Sequence, residues 1–269
     1  MNRYTFKHDE EAANFCDEIL AELVNQYKVS PDDALKIVNE HFTRAPFDFN
    51  SLNSTEDDLY YHDLPEVWAS RFWGGWLNKS LETELRLIEA ALKPLLGLES
   101  NWSGVAGWTT EPGINGRKQY GCSIEIHESL RNTDSRWRVM LHEMLHAYSV
   151  GLNRTAFLQY KGYEEGVVEE LQRLLRREVF AQLQVSVDES GLLEGDRSHQ
   201  YNPYITELEK LRGYFETTDA ITFYRNLLEE PLANRGSYLR SEANTLTDAG
   251  RYAFKQTFLV SNVRLQRPL

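Results

Sequence analysis

The chain has 269 residues, of which 41% are hydrophobic and 12% aromatic, enough apolar material for a globular protein with a packed core. Its 29 basic and 41 acidic residues give a net charge of -12, so we expect no nucleic-acid partner, because phosphate binding requires clustered lysine and arginine. No stretch reaches the roughly 18 apolar residues of a membrane span, and the beginning has no signal-peptide pattern. With two cysteines, the sequence predicts a soluble, cytoplasmic protein without a membrane partner.

The beginning of the chain is predicted to be helical. Residues 9–28 place apolar side chains at helical spacing, with charged residues on the other faces. A second helix is expected to start at Ser30 and Pro31, which suit an N-cap and a first helical position. The polar residues 50–58 that follow are typical of a loop.

An aromatic-rich segment, residues 59–80, precedes a further helical pattern at 81–96 that Pro94 is expected to bend or end. Aromatic side chains at irregular helical spacing usually fill a core or an interface. We therefore treat residues 1–97 as an N-terminal helical region that could bind a regulatory protein partner.

The residue composition changes after this region, and residues 98–269 are predicted to form a second domain. Frequent glycine, proline and asparagine between 97 and 121 indicate loops and short strands. Ile124 and Ile126 then alternate with polar residues, which predicts a half-buried strand. Together with the helical patterns, this strand predicts an α+β fold that is predominantly helical.

Four helical patterns follow the strand. The first is expected to run from an N-cap at Thr133 or Asp134 to a stop at Gly151. Further patterns with helical spacing cover residues 163–183, 202–215 and 219–228. The tail from Arg235 has no clear pattern.

The first of these helices carries the motif "HEMLH". On a helix, His142 and His146 lie one turn apart on the same face, so both imidazoles can reach one metal ion. Glu143 would lie beside such a metal, where its carboxylate could take a proton from a metal-bound water. The alternative is a structural pair of histidines, but buried polar groups without partners are costly, which favours a metal.

A catalytic zinc ion needs a third protein ligand and an open position. Between His146 and Tyr163 the chain contains no histidine, aspartate, glutamate or cysteine. The first candidates are the glutamates of "YEEGVVEEL", which the residues alone do not distinguish: Glu164, Glu165, Glu169 and Glu170.

The motif, the eighteen residues that separate His146 from Glu165, and the pair Glu165-Gly166 resemble the gluzincin metallopeptidases. The resemblance covers residues 120–183 and implies a zincin-like core in the second domain, a Zn²⁺ cofactor and Glu165 as third ligand. Glu169, one turn further along, would then orient a zinc-binding histidine. Glu164 is the alternative ligand, about 100° away around the helix.

The resemblance also implies that the upstream strand lies along the active-site cleft and pairs with an extended peptide. The residues expected in this role are Ser123, Ile124 and Glu125. Gluzincins add a tyrosine or histidine that stabilises the oxyanion, and the candidates for that role are His199, Tyr201 and Tyr204.

These expectations combine into one functional hypothesis. The protein would be a zinc-dependent endopeptidase that cleaves a specific intracellular protein or peptide substrate, with Glu143 as general base. The alternative is a non-catalytic regulatory or binding protein on a zincin scaffold, although a glutamate at position 143 has no function in holding the metal.

Overall fold

A computed structural model describes residues 9–44, 65–119, 122–215 and 219–266. The chain divides into two compact units, Met1–Ser80 and Leu81–Leu269. The described residues are mostly helical and include one three-stranded sheet, which confirms the predicted α+β, predominantly helical class. Within these ranges, no helix combines the length and the apolar character that crossing a membrane requires.

The helices of the first unit begin close to the predicted positions. The backbone N–H of Asp33 donates to Ser30 Oγ, so this serine caps the second helix as its sequence indicates. The predicted loop at 50–58 lies outside the described residues. The helices are α1 (Asp9–Asn25), α2 (Pro31–Arg44) and the first half of α3 (Pro65–Leu96).

The aromatic residues at the start of α3 fill the core of the first unit, as predicted. Trp68 and Phe72 are buried against apolar residues of α1 and α2. The burial of these two rings gives the described part of the segment, from residue 65 onward, a structural function in this core.

Helix α3 continues through Pro94 and ends at Leu96. Its second half places a fully buried apolar stripe in the core of the second unit, formed by Leu81, Leu85, Ile88 and Leu92. The two units are therefore divided inside the helix, between Ser80 and Leu81, and not after residue 97 as predicted.

The sheet has the order β1-β3-β2, with β1 parallel and β2 antiparallel to β3. Its strands are β1 (Ala106–Thr109), β2 (Gly116–Lys118) and β3 (Ile124–His127). Ile124 and Ile126 are fully buried, which confirms the predicted alternation. Because β3 is paired on both sides, the prediction that Ser123, Ile124 and Glu125 offer an edge to a substrate is wrong. In the described sheet, β2 is the edge strand closer to the "HEMLH" helix.

Two antiparallel helical elements carry the predicted ligands. Helix α4 (Ser135–Tyr148) presents one buried apolar face and is followed by Gly151, whose φ of +71° suits glycine. Helix α5 (Arg154–Gln182) consists of two helical segments that meet at a kink at Tyr160, whose backbone is not helical (φ −126°, ψ 30°). Asn153 caps the first segment by accepting a hydrogen bond from the N–H of Ala156. The second segment begins after the kink, close to the predicted start at residue 163, and carries Glu164 and Glu165 in its first turns.

Five helices complete the second unit: α6 (Glu189–Arg197), α7 (Asn202–Arg212), α8 (Ala220–Glu229), α9 (Arg235–Glu242) and α10 (Asp248–Gln266). The tail without a clear pattern thus forms α9 and α10. Two glycines let α7 and α10 pack directly on α5. A Cβ atom at Gly162 would lie 2.7 Å from the carbonyl oxygen of Leu265, and one at Gly166 would lie 2.8 Å from Leu208 Cδ1. This close packing brings the start of α7 to the predicted metal site.

Candidate metal centre

The predicted ligands meet at one point between α4 and α5. The Nε2 atoms of His142 and His146 are 3.2 Å apart, and Glu165 Oε2 lies 3.3 Å and 3.4 Å from them. Ligand bonds of about 2.05 Å in a tetrahedral zinc site would place the donor atoms about 3.3 Å from one another. The three donor atoms therefore have the spacing of a metal site, and this buried group could bind a metal ion.

The hydrogen bonding of Glu165 also fits a cation at the centre of the three donor atoms. Its Oε2 atom is buried and forms no hydrogen bond of acceptable geometry with any described residue. An ionised oxygen in this state costs free energy unless a positive charge compensates it. A cation at the centre of the three donor atoms would provide that charge.

Each histidine is held by a second carboxylate. Glu169 Oε2 lies 3.1 Å from His142 Nδ1, and Glu164 Oε1 lies 2.7 Å from His146 Nδ1. Because an ionised carboxylate only accepts hydrogen bonds, both Nδ1 atoms donate, and the Nε2 lone pairs face the metal position. Glu169 thus lies beside His142, as expected. Glu164, the alternative ligand, instead accepts a hydrogen bond from His146, one of the predicted metal ligands.

The charges of the group influence one another strongly. Burial lowers the pKa of His142, but the carboxylates of Glu165 and Glu169 outweigh it and raise that pKa to about 9. Burial likewise lowers the pKa of His146, while Glu164 and Glu165 raise it to about 10. In the absence of a metal, the site therefore favours protonated histidine, because the surrounding carboxylates need a positive charge.

Glu164 bonds to His146 through one carboxylate oxygen and forms a buried ion pair through the other. Arg235 at the start of α9 is fully buried, and its Nη1 lies 2.9 Å from Glu164 Oε2. Ser149 Oγ donates to the same oxygen at 2.7 Å and accepts from Arg235 Nη2 at 2.6 Å. Sequence reasoning missed Arg235, because nothing in the local pattern of the tail distinguishes a buried arginine from an exposed one.

The predicted general base lies beside the three donors and not among them. Glu143 is buried, and burial raises the pKa of its carboxyl group, which also accepts a backbone hydrogen bond from Lys118. Gly116 on β2 packs directly on it, since a Cβ atom there would lie 2.9 Å from Glu143 Cγ and 2.5 Å from Val139 Cγ1. The carboxylate is therefore fixed between α4 and β2.

Two cavities border the site, and both are lined by His142, Glu143 and Tyr201. The first, about 220 Å³, extends along Asn115 and His199. The second, about 230 Å³, continues toward Phe157 of α5. Both open next to the donor atoms, so a substrate group in either cavity would lie close to the metal position.

The three oxyanion candidates occupy different positions. The Tyr201 ring stacks on His142 with centroids 6.0 Å apart, and burial together with the nearby Glu165 carboxylate raises the pKa of its hydroxyl group. Tyr204 is buried behind Tyr201 and lines neither cavity. His199 lies 3.5 Å from Glu169, and its pKa is lowered to about 4, mainly by burial. Only Tyr201 places a hydroxyl group beside the donor atoms.

Known proteins offer no assignment for this chain. It matches no protein family, no curated protein and no solved structure. The likeness to gluzincins accordingly rests on the motif and its spacing.

Proposed function

We propose that this protein is a zinc-dependent endopeptidase of the gluzincin type, with His142, His146 and Glu165 as ligands. The observation that carries the proposal is the triangle of donor atoms with sides of 3.2, 3.3 and 3.4 Å. Two imidazoles and one carboxylate form the ligand set of many zinc hydrolases, in which a fourth position stays open.

The position of Glu143 supports a zinc hydrolase over an iron-dependent oxygenase. Two histidines and a carboxylate also bind Fe(II) in oxygenases. A buried carboxylate fixed beside the metal position, as Glu143 is, provides the general base that hydrolysis requires. The ligand set together with this base therefore supports a hydrolase.

The residues around the donors have distinct functions in this proposal. Bound zinc would supply a Lewis acid. Glu143 accepts a proton from the attacking water and passes it to the leaving amine. Tyr201 donates its hydroxyl hydrogen to the oxyanion. The edge of β2 can pair with an extended substrate through the backbone groups that Glu143 does not occupy, those of Gly116 among them.

The experiment that tests the proposal compares zinc-loaded wild-type protein with Glu143→Gln on a fluorescently labelled, unfolded protein substrate. We expect Glu143→Gln to retain zinc and to lose at least about 100-fold in kcat/KM, because only the proton acceptor is removed. Glu194→Gln, at an exposed position on α6, serves as the matched control. Full activity of Glu143→Gln would overturn the mechanism. Absence of cleavage by the wild type would favour the non-catalytic alternative.

A further inference from the structure

Lys118 on β2 lies beside the candidate metal centre. In the sheet, Lys118 is opposite Ile124 and Gly116 is opposite Ile126. Lys118 and Gly116 therefore lie on the same face of the sheet, the face that packs on α4. Lys118 is only 9% exposed and lines the second cavity. Its long side chain therefore lies between the sheet and the candidate site.

The other cations around the two cavities are paired. Arg117 bonds to Glu125 at 2.6 Å, and Arg138 bonds to Glu169 at 2.6 Å. The Lys118 ammonium group, in contrast, has no hydrogen bond or ion pair in the described ranges, although the charges of Glu164 and Glu143 attract it. A charged group at the end of a largely buried side chain, open to a cavity and without a hydrogen-bond partner, is a candidate for ligand binding.

The charges near the site indicate which kind of ligand this lysine would take. Arg138 compensates Glu169, and Arg235 compensates Glu164. A divalent cation would compensate Glu165 and Glu143, the two remaining carboxylates. The charge of Lys118 is then left over, so a bound anion would complete the balance.

We propose that the second cavity binds a carboxylate of the peptide substrate and that Lys118 recognises it. Leu152 and Phe157 form apolar walls of this cavity, and its volume of about 230 Å³ suits a side chain of the size of glutamate. The carboxylate is either an acidic side chain next to the cleaved bond or the C-terminal carboxylate of a peptide. The assignment to substrate recognition rests on the proposed peptidase function.

The main test measures cleavage of a mixed peptide library, with free or amidated C-termini, by zinc-loaded wild type, Lys118→Gln and Lys118→Glu. At one position beside the cleaved bond, we expect the wild type to prefer glutamate over glutamine about 10- to 100-fold in kcat/KM, as charge-assisted bonds allow. Lys118→Gln should lose this preference, and Lys118→Glu should prefer lysine or arginine. Cleavage confined to free C-termini would identify the terminal carboxylate as the recognised group. Lys255→Gln, an exposed lysine on α10, is the matched control.

Two results of this experiment would overturn the inference and leave the peptidase function intact. One is a wild type that cleaves peptides without preferring a carboxylate. The other is a Lys118→Gln protein with the wild-type ratio of glutamate to glutamine and a lower kcat on every peptide, because Lys118 would then act on the reacting carbonyl group.

A binding measurement decides the inference even if no peptide is cleaved, an outcome that would contradict only the peptidase function. The probes are acetyl-Ala-Ala-Glu-Ala-Ala-amide, its glutamine analogue, and that analogue with a free C-terminus, titrated calorimetrically into the zinc-loaded proteins. Wild type should bind at least one carboxylate probe about 10-fold more tightly than the neutral one, and Lys118→Gln should not. Equal affinities would overturn the inference.

Discussion

Four glutamates around the candidate site differ in function because their neighbours differ. Glu165 Oε2 is buried and has no hydrogen-bond partner among the described residues, and this oxygen faces two imidazoles. Glu164 and Glu169 each accept a hydrogen bond from the Nδ1 of one histidine. Glu143 contacts β2 instead. Helix geometry alone predicts the directions of these side chains, but the partners that fix their charges come from distant parts of the chain.

The buried ion pair of Arg235 and Glu164 gives the first prediction at this scale. Arg235→Met should reduce the free energy of unfolding by about 3 to 5 kcal/mol, because it leaves Glu164 buried without its cation. Urea unfolding of the zinc-free protein measures the change. The exposed pair of Arg251 provides the control, and Arg251→Met should cost less than about 1 kcal/mol.

A second variant keeps this test decisive if Arg235→Met does not fold. The double variant Glu164→Gln with Arg235→Met removes both charges and should be more stable than Arg235→Met alone. A double variant that is less stable than the single one would show that the ion pair is not what stabilises this part of the core.

The histidine pKa values give a prediction about pH. The folded zinc-free protein raises the pKa of His142 to about 9 and of His146 to about 10, from an ordinary value of 6.5. Stability from these protonated groups is therefore fully present below pH 6.5 and is lost as the pH rises through 9 and 10. Urea unfolding between pH 6.5 and 10 should show this decline only without zinc, because zinc binds unprotonated imidazole. A flat profile of the zinc-free protein would contradict the assignment.

Among the elements, most helices before the C-terminal tail were predictable, whereas α9, α10 and the order of the sheet were not. The period-2 pattern of Ile124 and Ile126 correctly indicates β3, but it contains no information about which strands pair with it. Strand β1, with the sequence AGWT, contains no apolar β-branched residue, and β2 has only three residues, so neither gives a recognisable pattern. The edge of the sheet therefore had to be found in the structure.

The contact between β2 and α4 gives a prediction at the scale of elements. In Gly116→Ala the added methyl group would collide with Val139 and Glu143, so we expect at least a 10-fold loss in kcat/KM, on the order known for displaced catalytic groups, with zinc retained. Gly195→Ala is the control, because nothing lies within 4 Å of its added Cβ atom. Wild-type kinetics of Gly116→Ala would show that β2 does not position Glu143.

For the whole molecule, the candidate site draws on residues that are far apart in the sequence. The ligands come from α4 and α5, which follow one another in the chain and could be read from motif spacing. Lys118 and Arg235 come from the sheet and from the C-terminal helices, and only the folded chain brings them to the site. All of these residues belong to the second unit, Leu81–Leu269. A regulatory partner for the first unit stays a prediction.

The most direct measurement for the central claim is the metal content of the purified protein after zinc reconstitution and dialysis. Wild type and His127→Ala, which changes a half-buried histidine outside the site, should retain about one zinc ion per chain. His146→Ala and Glu165→Ala should retain little or none, because each removes one of three donors. Iron in place of zinc, no bound metal in the wild type, or equal zinc content in all four proteins would contradict the proposed zinc centre.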